Sequence, residues 1–287
     1  MPGGLPSARR SPGVRVRKRC PRIAIYSEKG GVGKTALMTG VAAVAARRGL
    51  VVACIDMDPR ATATAEFGIV NPAFTVNDIL YTDPENPVSA RGLAAAALLS
   101  PSEAWPQTIK VLAAERALGK READPTPHME GRLALSMEGG VLDDVDLLLI
   151  DVPPRAGGKL VTAALDLATH VMIPITLDED GRVGAVDATK SVQRHAITSG
   201  REDLEVSLVV RNIVEGTATS LGGIVESWAI ETYGEKLLPT RVPKYQVRKV
   251  SRFGCVPITD TKDAHTSDVV HGYEAVLDAM LKLEVAA

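Results

Sequence analysis

The stretch "VDLLLID", residues 145–151, limits the fold more than any other part of the chain. It sets four large apolar residues in a row between two acids, as a short strand buried on both faces requires. The same pattern returns in "RIAIYS" (22–27), "LVVACID" (50–56), "HVMIPIT" (170–176) and "LEVSLVVRN" (204–212), and "TIKVLAA" (108–114) extends the series. Helical stretches stand between these runs, such as the one from Lys34 to Arg48 that Gly49 stops. Apolar strands alternating with helices predict an α/β fold, a mostly parallel twisted sheet with helices on both faces. Aromatic residues make up only 3% of the chain, so aliphatic side chains and alanine must fill the core. An alanine-rich helix is expected near Arg91 to Leu99, and a surface loop over "GKREADPTPHMEGR" (119–132). Residues 22–287 read as a single domain behind a basic, disordered arm, residues 1–21.

Charge is unevenly spread. The formal net charge is -2, but the first 22 residues carry seven basic side chains and no acid. The remainder has 26 basic against 35 acidic residues. Contact with a polyanion is therefore expected at particular patches. Cys20, Cys54 and Cys255 lie far apart and form no C-x-x-C pair, which points to a reducing cytoplasm and away from a cysteine metal site. No apolar run approaches the roughly 18 residues of a membrane span.

"SEKGGVGKTALMTG" (27–40) follows the first strand and opens the first helix, where a phosphate-binding loop belongs. The backbone of Gly30, Gly31, Val32 and Gly33 can bend so that its amides, with those of Lys34, Thr35 and Ala36, converge on phosphate oxygens at a helix N-terminus. Lys34 suits the outer phosphates, and the Thr35 hydroxyl suits Mg²⁺. Glu28 stands where the opening glycine of such a loop is usual, and Lys29 is an extra lysine.

The run "KGGVGKT" resembles the deviant Walker A motif of the ParA/MinD superfamily of ATPases. The resemblance implies ATP and Mg²⁺ as cofactors, hydrolysis of ATP, and a sandwich homodimer in which Lys29 reaches the partner's phosphates. "CIDMDPRATAT" (54–64) is similar to the family's first switch, with Arg60 in place of the usual glutamine. By position, Asp58 orients the attacking water, and Asp56 sits near the metal or stabilises the switch. "LLLIDVPPRAGG" (147–158) resembles the Walker B strand and second switch, which makes Asp151 a metal ligand. Catalysis then falls to Lys29, Lys34 and Asp58, and the metal to Thr35, Asp56 and Asp151. Asn212 and Pro243 match the family's adenine contacts.

From Lys236 to Arg252 there are six basic residues and no acid. A helix over 244–252 would set Lys244, Arg248 and Arg252 on one face beside Lys249, with Val247 and Val250 turned to the core. With Arg241, these residues match the segment through which ParA-type proteins touch double-stranded DNA without sequence preference. The resemblance thus implies a nucleoid-associated partition ATPase with a centromere-binding ParB-like partner, moving a plasmid or chromosome. The C-terminal "DVVHGYEAVLDAMLKLEVAA" has only one lysine, which argues against a membrane-anchoring helix; Val270, Tyr273, Val276, Leu277 and Met280 suit packing on the sheet. A MinD-like positioning switch and a metabolic ligase of the dethiobiotin-synthetase type remain open alternatives.

Overall fold

The computed structural model describes residues 20–216 and 219–285. Most of the expected basic arm, residues 1–19, lies outside them. Eight strands form one sheet: β1 (Arg22–Ile25), β2 (Val52–Asp56), β3 (Leu98–Leu99), β4 (Ile109–Leu112), β5 (Leu147–Asp151), β6 (His170–Ile175), β7 (Val206–Val214) and β8 (Leu237–Pro243). Their spatial order is β3-β4-β2-β5-β1-β6-β7-β8, and only the β3–β4 pair is antiparallel. All six apolar runs read from the sequence are strands here.

Strand alternation sends successive side chains to two separate cores. On one face, Ile23, Ile25, Cys54, Leu147 and Leu149 pack under α1 (Lys34–Arg47), α2 (Thr62–Glu66), α9 (Gln246–Phe253) and α10 (Thr266–Met280). On the other, Ala24, Ile55, Leu148 and Ile150 meet α3 (Val76–Leu80), α4 (Ala94–Ala97), α5 (Gly131–Ser136), α6 (Lys159–Leu167), α7 (Glu179–Ser199) and α8 (Ser220–Tyr233). The alanine-rich helix is shorter than its composition predicts. It spans only Ala94–Ala97, because Leu98 and Leu99 turn extended and pair with β4. The expected surface loop also does structural work. Glu122 within it accepts the amides of Lys159 (2.9 Å) and Leu160 (3.3 Å), capping the α6 N-terminus.

The expected face of α10 is correct: Val270, Tyr273, Val276, Leu277 and Met280 are all buried. The Tyr273 ring lies against Gly40 of α1, where any Cβ would collide with it. Gly40 is therefore what lets α1 and α10 approach. Gly40→Val should cost about 1–3 kcal/mol through overpacking, although a side chain normally improves a helix interior. Urea unfolding measures this, and an unchanged midpoint would contradict the packing.

Candidate nucleotide-binding site

The parallel strands β1, β2 and β5 deliver their C-terminal ends to one edge of the sheet, and the sequence-predicted loop crosses that edge. Gly31 and Gly33 hold φ of 85° and 83°, which only glycine adopts without strain. Gly33 is further confined because a Cβ there would strike the Asn212 amide. Beside Gly30 and Gly31 a Cβ would meet nothing within 4 Å, so the space above the loop is open. Val32 is buried, and the α1 amides begin at Lys34 and continue through Thr35 and Ala36. An anion placed here meets converging N–H groups and the positive end of a 14-residue helix.

Lys34 is buried, and its ammonium donates to the carbonyls of Ser27 (3.2 Å) and Lys29 (3.3 Å). Burial lowers its pKa; Asp151 and Asp58 oppose that effect, and Arg60 adds to it. Asp56 and Asp151 stand in register as neighbours on β2 and β5, both buried. Asp151 accepts the Thr35 hydroxyl at 2.6 Å. Burial, then the nearby Asp56, pushes its carboxyl up to about 8. Burial raises Asp56 to about 6.

These acids have different work. Asp56 uses Oδ2 to accept the amide (2.9 Å) and hydroxyl (2.8 Å) of Thr64, and Oδ1 to accept the Asp58 amide (3.1 Å). Through these three bonds Asp56 anchors the 58–64 segment. Asp58 is only half-buried and accepts the Arg60 amide at 2.9 Å. Ala61 completes the turn in the left-handed region, φ 52°. A buried carboxylate beside a second one, with the Thr35 hydroxyl against it, suits a hard divalent cation with oxygen ligands. Thr35 and Asp151 are the residues that would hold Mg²⁺, which supplies positive charge at the phosphates.

Lys29 lies at the outer rim, half exposed, with its ammonium ion-paired to Asp180 in the first turn of α7. A Cβ on Gly184 would come within 2.6 Å of the Lys29 Cβ, so the glycine lets α7 lie against the loop. Glu28 has an anchoring place. It accepts the hydroxyls of Ser191 on α7 (2.6 Å) and Tyr26 (3.2 Å), and Tyr26 also donates to the Arg155 carbonyl (3.0 Å). The usual opening glycine is thus replaced by a strut between loop, α7 and second switch. Burial and the Glu28 charge raise Tyr26 to about 12, so it remains a donor. Neither Asp180 nor Ser191 was legible as a site residue, since each lies more than 150 positions from its partner on the loop.

Asn212 is buried, and its amide donates to Val32 O (2.7 Å) and Gly33 O (3.4 Å), bracing the back of the loop. Pro243 ends β8 and pairs with Val214, so the two expected base contacts sit on adjacent strands.

The basic segment departs from expectation. Its helix, α9, begins at Gln246, and Val250 is 55% exposed where burial was expected; of the two valines, Val247 is the one buried. Arg248 is turned into the protein and forms an ion pair with Glu66, so it cannot reach a duplex. The helix begins after Lys244, and Arg248 lies on its inward side with Val247 and Ser251, where it meets Glu66. Arg241 is held by Glu226, and Lys244 by Glu215 at 2.7 Å. Lys249 and Arg252 are exposed, next to Phe253 at 93% exposure.

A family model described as an AAA domain matches residues 21–206. The sporulation initiation inhibitor protein Soj of Bacillus subtilis is 30% identical over 227 residues, 77% of this chain and 83% of its own. The chain belongs to the ParA/MinD superfamily of P-loop ATPases. The chromosome-partitioning ATPase Soj of Thermus thermophilus is 27% identical over 272 residues, covering 93% of this chain and 97% of that one. Among solved structures, an ATP complex of a Cyanothece McdA variant aligns with TM-score 0.76 at 16% identity, over 94% of this chain and all of that one. A cobyrinic acid a,c-diamide synthase of Mycobacterium smegmatis with ADP and magnesium aligns with TM-score 0.71 at 21% identity, over 92% and 94%. A biosynthetic enzyme therefore shares this P-loop fold, and the fold by itself does not separate partition from synthesis.

The Asp151 carboxyl gives the site a pH signature. As pH rises past 3.8 the unfolded chain releases this proton, while the native protein holds it until about 8. Native stability is therefore lost across that window. Asp151→Asn has nothing to ionise, so without nucleotide and metal it should melt above wild type at pH 8, with the gap closing toward pH 4. Scanning calorimetry at several pH values decides; a gap independent of pH would contradict the buried, protonated carboxyl.

Proposed function

We propose that this protein is a ParA-type partition ATPase: ATP joins two chains, the dimer binds duplex DNA without sequence preference, and hydrolysis releases it. A ParB-like partner would stimulate turnover, and the cargo would be a plasmid or chromosome. The observation that carries this reading is Lys29. A second lysine on a phosphate loop, half exposed at the rim and paired with Asp180 while Lys34 is buried against the loop, supports a role on phosphate outside its own chain. Phosphoryl transfer needs positioning and positive charge more than covalent chemistry. Lys34 and a partner chain's Lys29 supply charge, Asp58 orients water, and Thr35 with Asp151 hold Mg²⁺. The relatives support the reading, since the Thermus protein carries chromosome partition in its name and a Borrelia burgdorferi plasmid partition protein bound to AMPPNP shares the fold (TM-score 0.71, 20% identity, 92% of this chain and 99% of that one). No helix among the described residues is long and apolar enough to cross a membrane.

DNA contact falls to the exposed cations Lys249 and Arg252, with Arg241 and Lys244 able to join only by leaving their carboxylates. Duplex affinity measured with ATP, with ADP and without nucleotide tests the function. The ATP state should bind, and log affinity should fall with log salt by about 0.9 per phosphate contacted. Replacing Lys249 and Arg252 with alanine should reduce that slope by about 2 for each chain of the dimer that touches the duplex. Affinity indifferent to salt and nucleotide would overturn the DNA role. ATP turnover that instead depends on a small acid, without DNA, would favour the synthetic reading. Asp58→Ala should keep ATP affinity while turnover falls by about 100-fold or more; undiminished turnover would remove Asp58 from the mechanism.

A further inference from the structure

Glu66 and Arg248 form a buried ion pair that neither nucleotide binding nor DNA contact uses. Their side chains are 2% and 13% exposed, and each lies on a different helix, α2 and α9. Arg248 also donates to the Thr39 hydroxyl at 2.6 Å, and that hydroxyl lies 2.6 Å from Glu66 Oε1 and 3.0 Å from the Thr35 carbonyl. Tyr273 of α10 lies against the same guanidinium. Glu66 Oε2 and Arg248 Nε have no hydrogen-bond partner among the described residues.

A pair this deep is weak evidence for stability, because taking both charges out of water offsets most of their attraction. What it does supply is a fixed register between the elements it joins, and those elements are informative. Thr35 carries the hydroxyl that meets Asp151. Glu66 ends the helix whose Thr64 is tied to Asp56, two residues before Asp58. Arg248 sits on the helix that exposes Lys249, Arg252 and Phe253. One network thus touches the phosphate loop, the first switch and the outer basic helix. Because leaving either charge buried and unpaired is costly, a shift of α2 favours carrying Arg248 with it.

We propose that Glu66 and Arg248 are positioning residues that transmit the nucleotide state of the Thr35 turn and the 56–66 segment to α9. For what α9 then does, the inference rests on the duplex-binding reading above. Transmission of this kind is reciprocal: if ATP raises duplex affinity by some factor, duplex raises ATP affinity by the same factor.

The test uses the full chain carrying Glu66→Leu and Arg248→Met together, since either change alone strips the counter-charge from a buried ion and risks unfolding. A thermal melt first shows that the double variant folds; if it does not, Glu66→Gln with Arg248→Gln replaces it. Amide exchange is then followed over the phosphate loop and residues 246–253 with Mg-ADP and with a non-hydrolysable ATP analogue. In wild type, protection of 246–253 should differ between the two nucleotides by at least about fivefold. In the double variant that difference should vanish while the loop remains protected by both. A wild-type helix indifferent to nucleotide, or a double variant that keeps the difference, overturns the proposal. Nucleotide-dependent protection in a wild type that binds no duplex upholds the link and overturns the DNA reading alone.

Discussion

Asp56 and Asp151, side by side and buried at the ends of two adjacent strands, impose an electrostatic constraint on the whole nucleotide edge. Two carboxylates in low dielectric cannot both ionise without cations nearby, and the buried ammonium of Lys34 acts on Asp151. The local structure follows from managing this charge. Asp56 is satisfied by three donors of the segment it anchors. Asp151 accepts the Thr35 hydroxyl and lies in the field of Lys34, and its pKa is still raised. The site is acidic where a metal belongs and basic where phosphate belongs. The second lysine of the loop, Lys29, stands at the outer rim.

Why Lys29 stands there is a matter of packing. Gly184 allows α7 to lie directly on the loop, Glu28 ties the loop to Ser191, and Asp180 then meets the ammonium. An exposed ion pair of this kind is worth about 0–1 kcal/mol, little against a triphosphate. Asp180 therefore holds the lysine ready without holding it fast. In the proposed dimer, exchanging that carboxylate for the partner's phosphates is the change that joins the chains.

Much of this was legible in the sequence because the physics is local. Strand after apolar strand, a glycine-rich turn and a Lys-Thr pair at a helix start are short-range patterns, and the structure places Gly30 through Ala36, Asp58 and Asp151 at the common edge they predict. Arg248 was misread for a reason that is equally physical. Helical spacing shows which residues share a face, but not which face meets a buried carboxylate contributed from 182 positions away. Val250 failed the same way: the helix has two candidate apolar edges, and only that of Val247 is covered. The role of Glu28 was not legible in the sequence because its hydrogen-bond partner, Ser191, belongs to a helix far along the chain.

The proposed function requires positive charge from a second chain to complete the site. Sedimentation velocity of the purified protein, saturated with Mg²⁺ and a non-hydrolysable ATP analogue, measures this directly. Wild type should sediment as a dimer, and Lys29→Ala should remain a monomer with its nucleotide affinity retained. A wild-type monomer under saturation, or a Lys29→Ala protein that dimerises equally well, would contradict it.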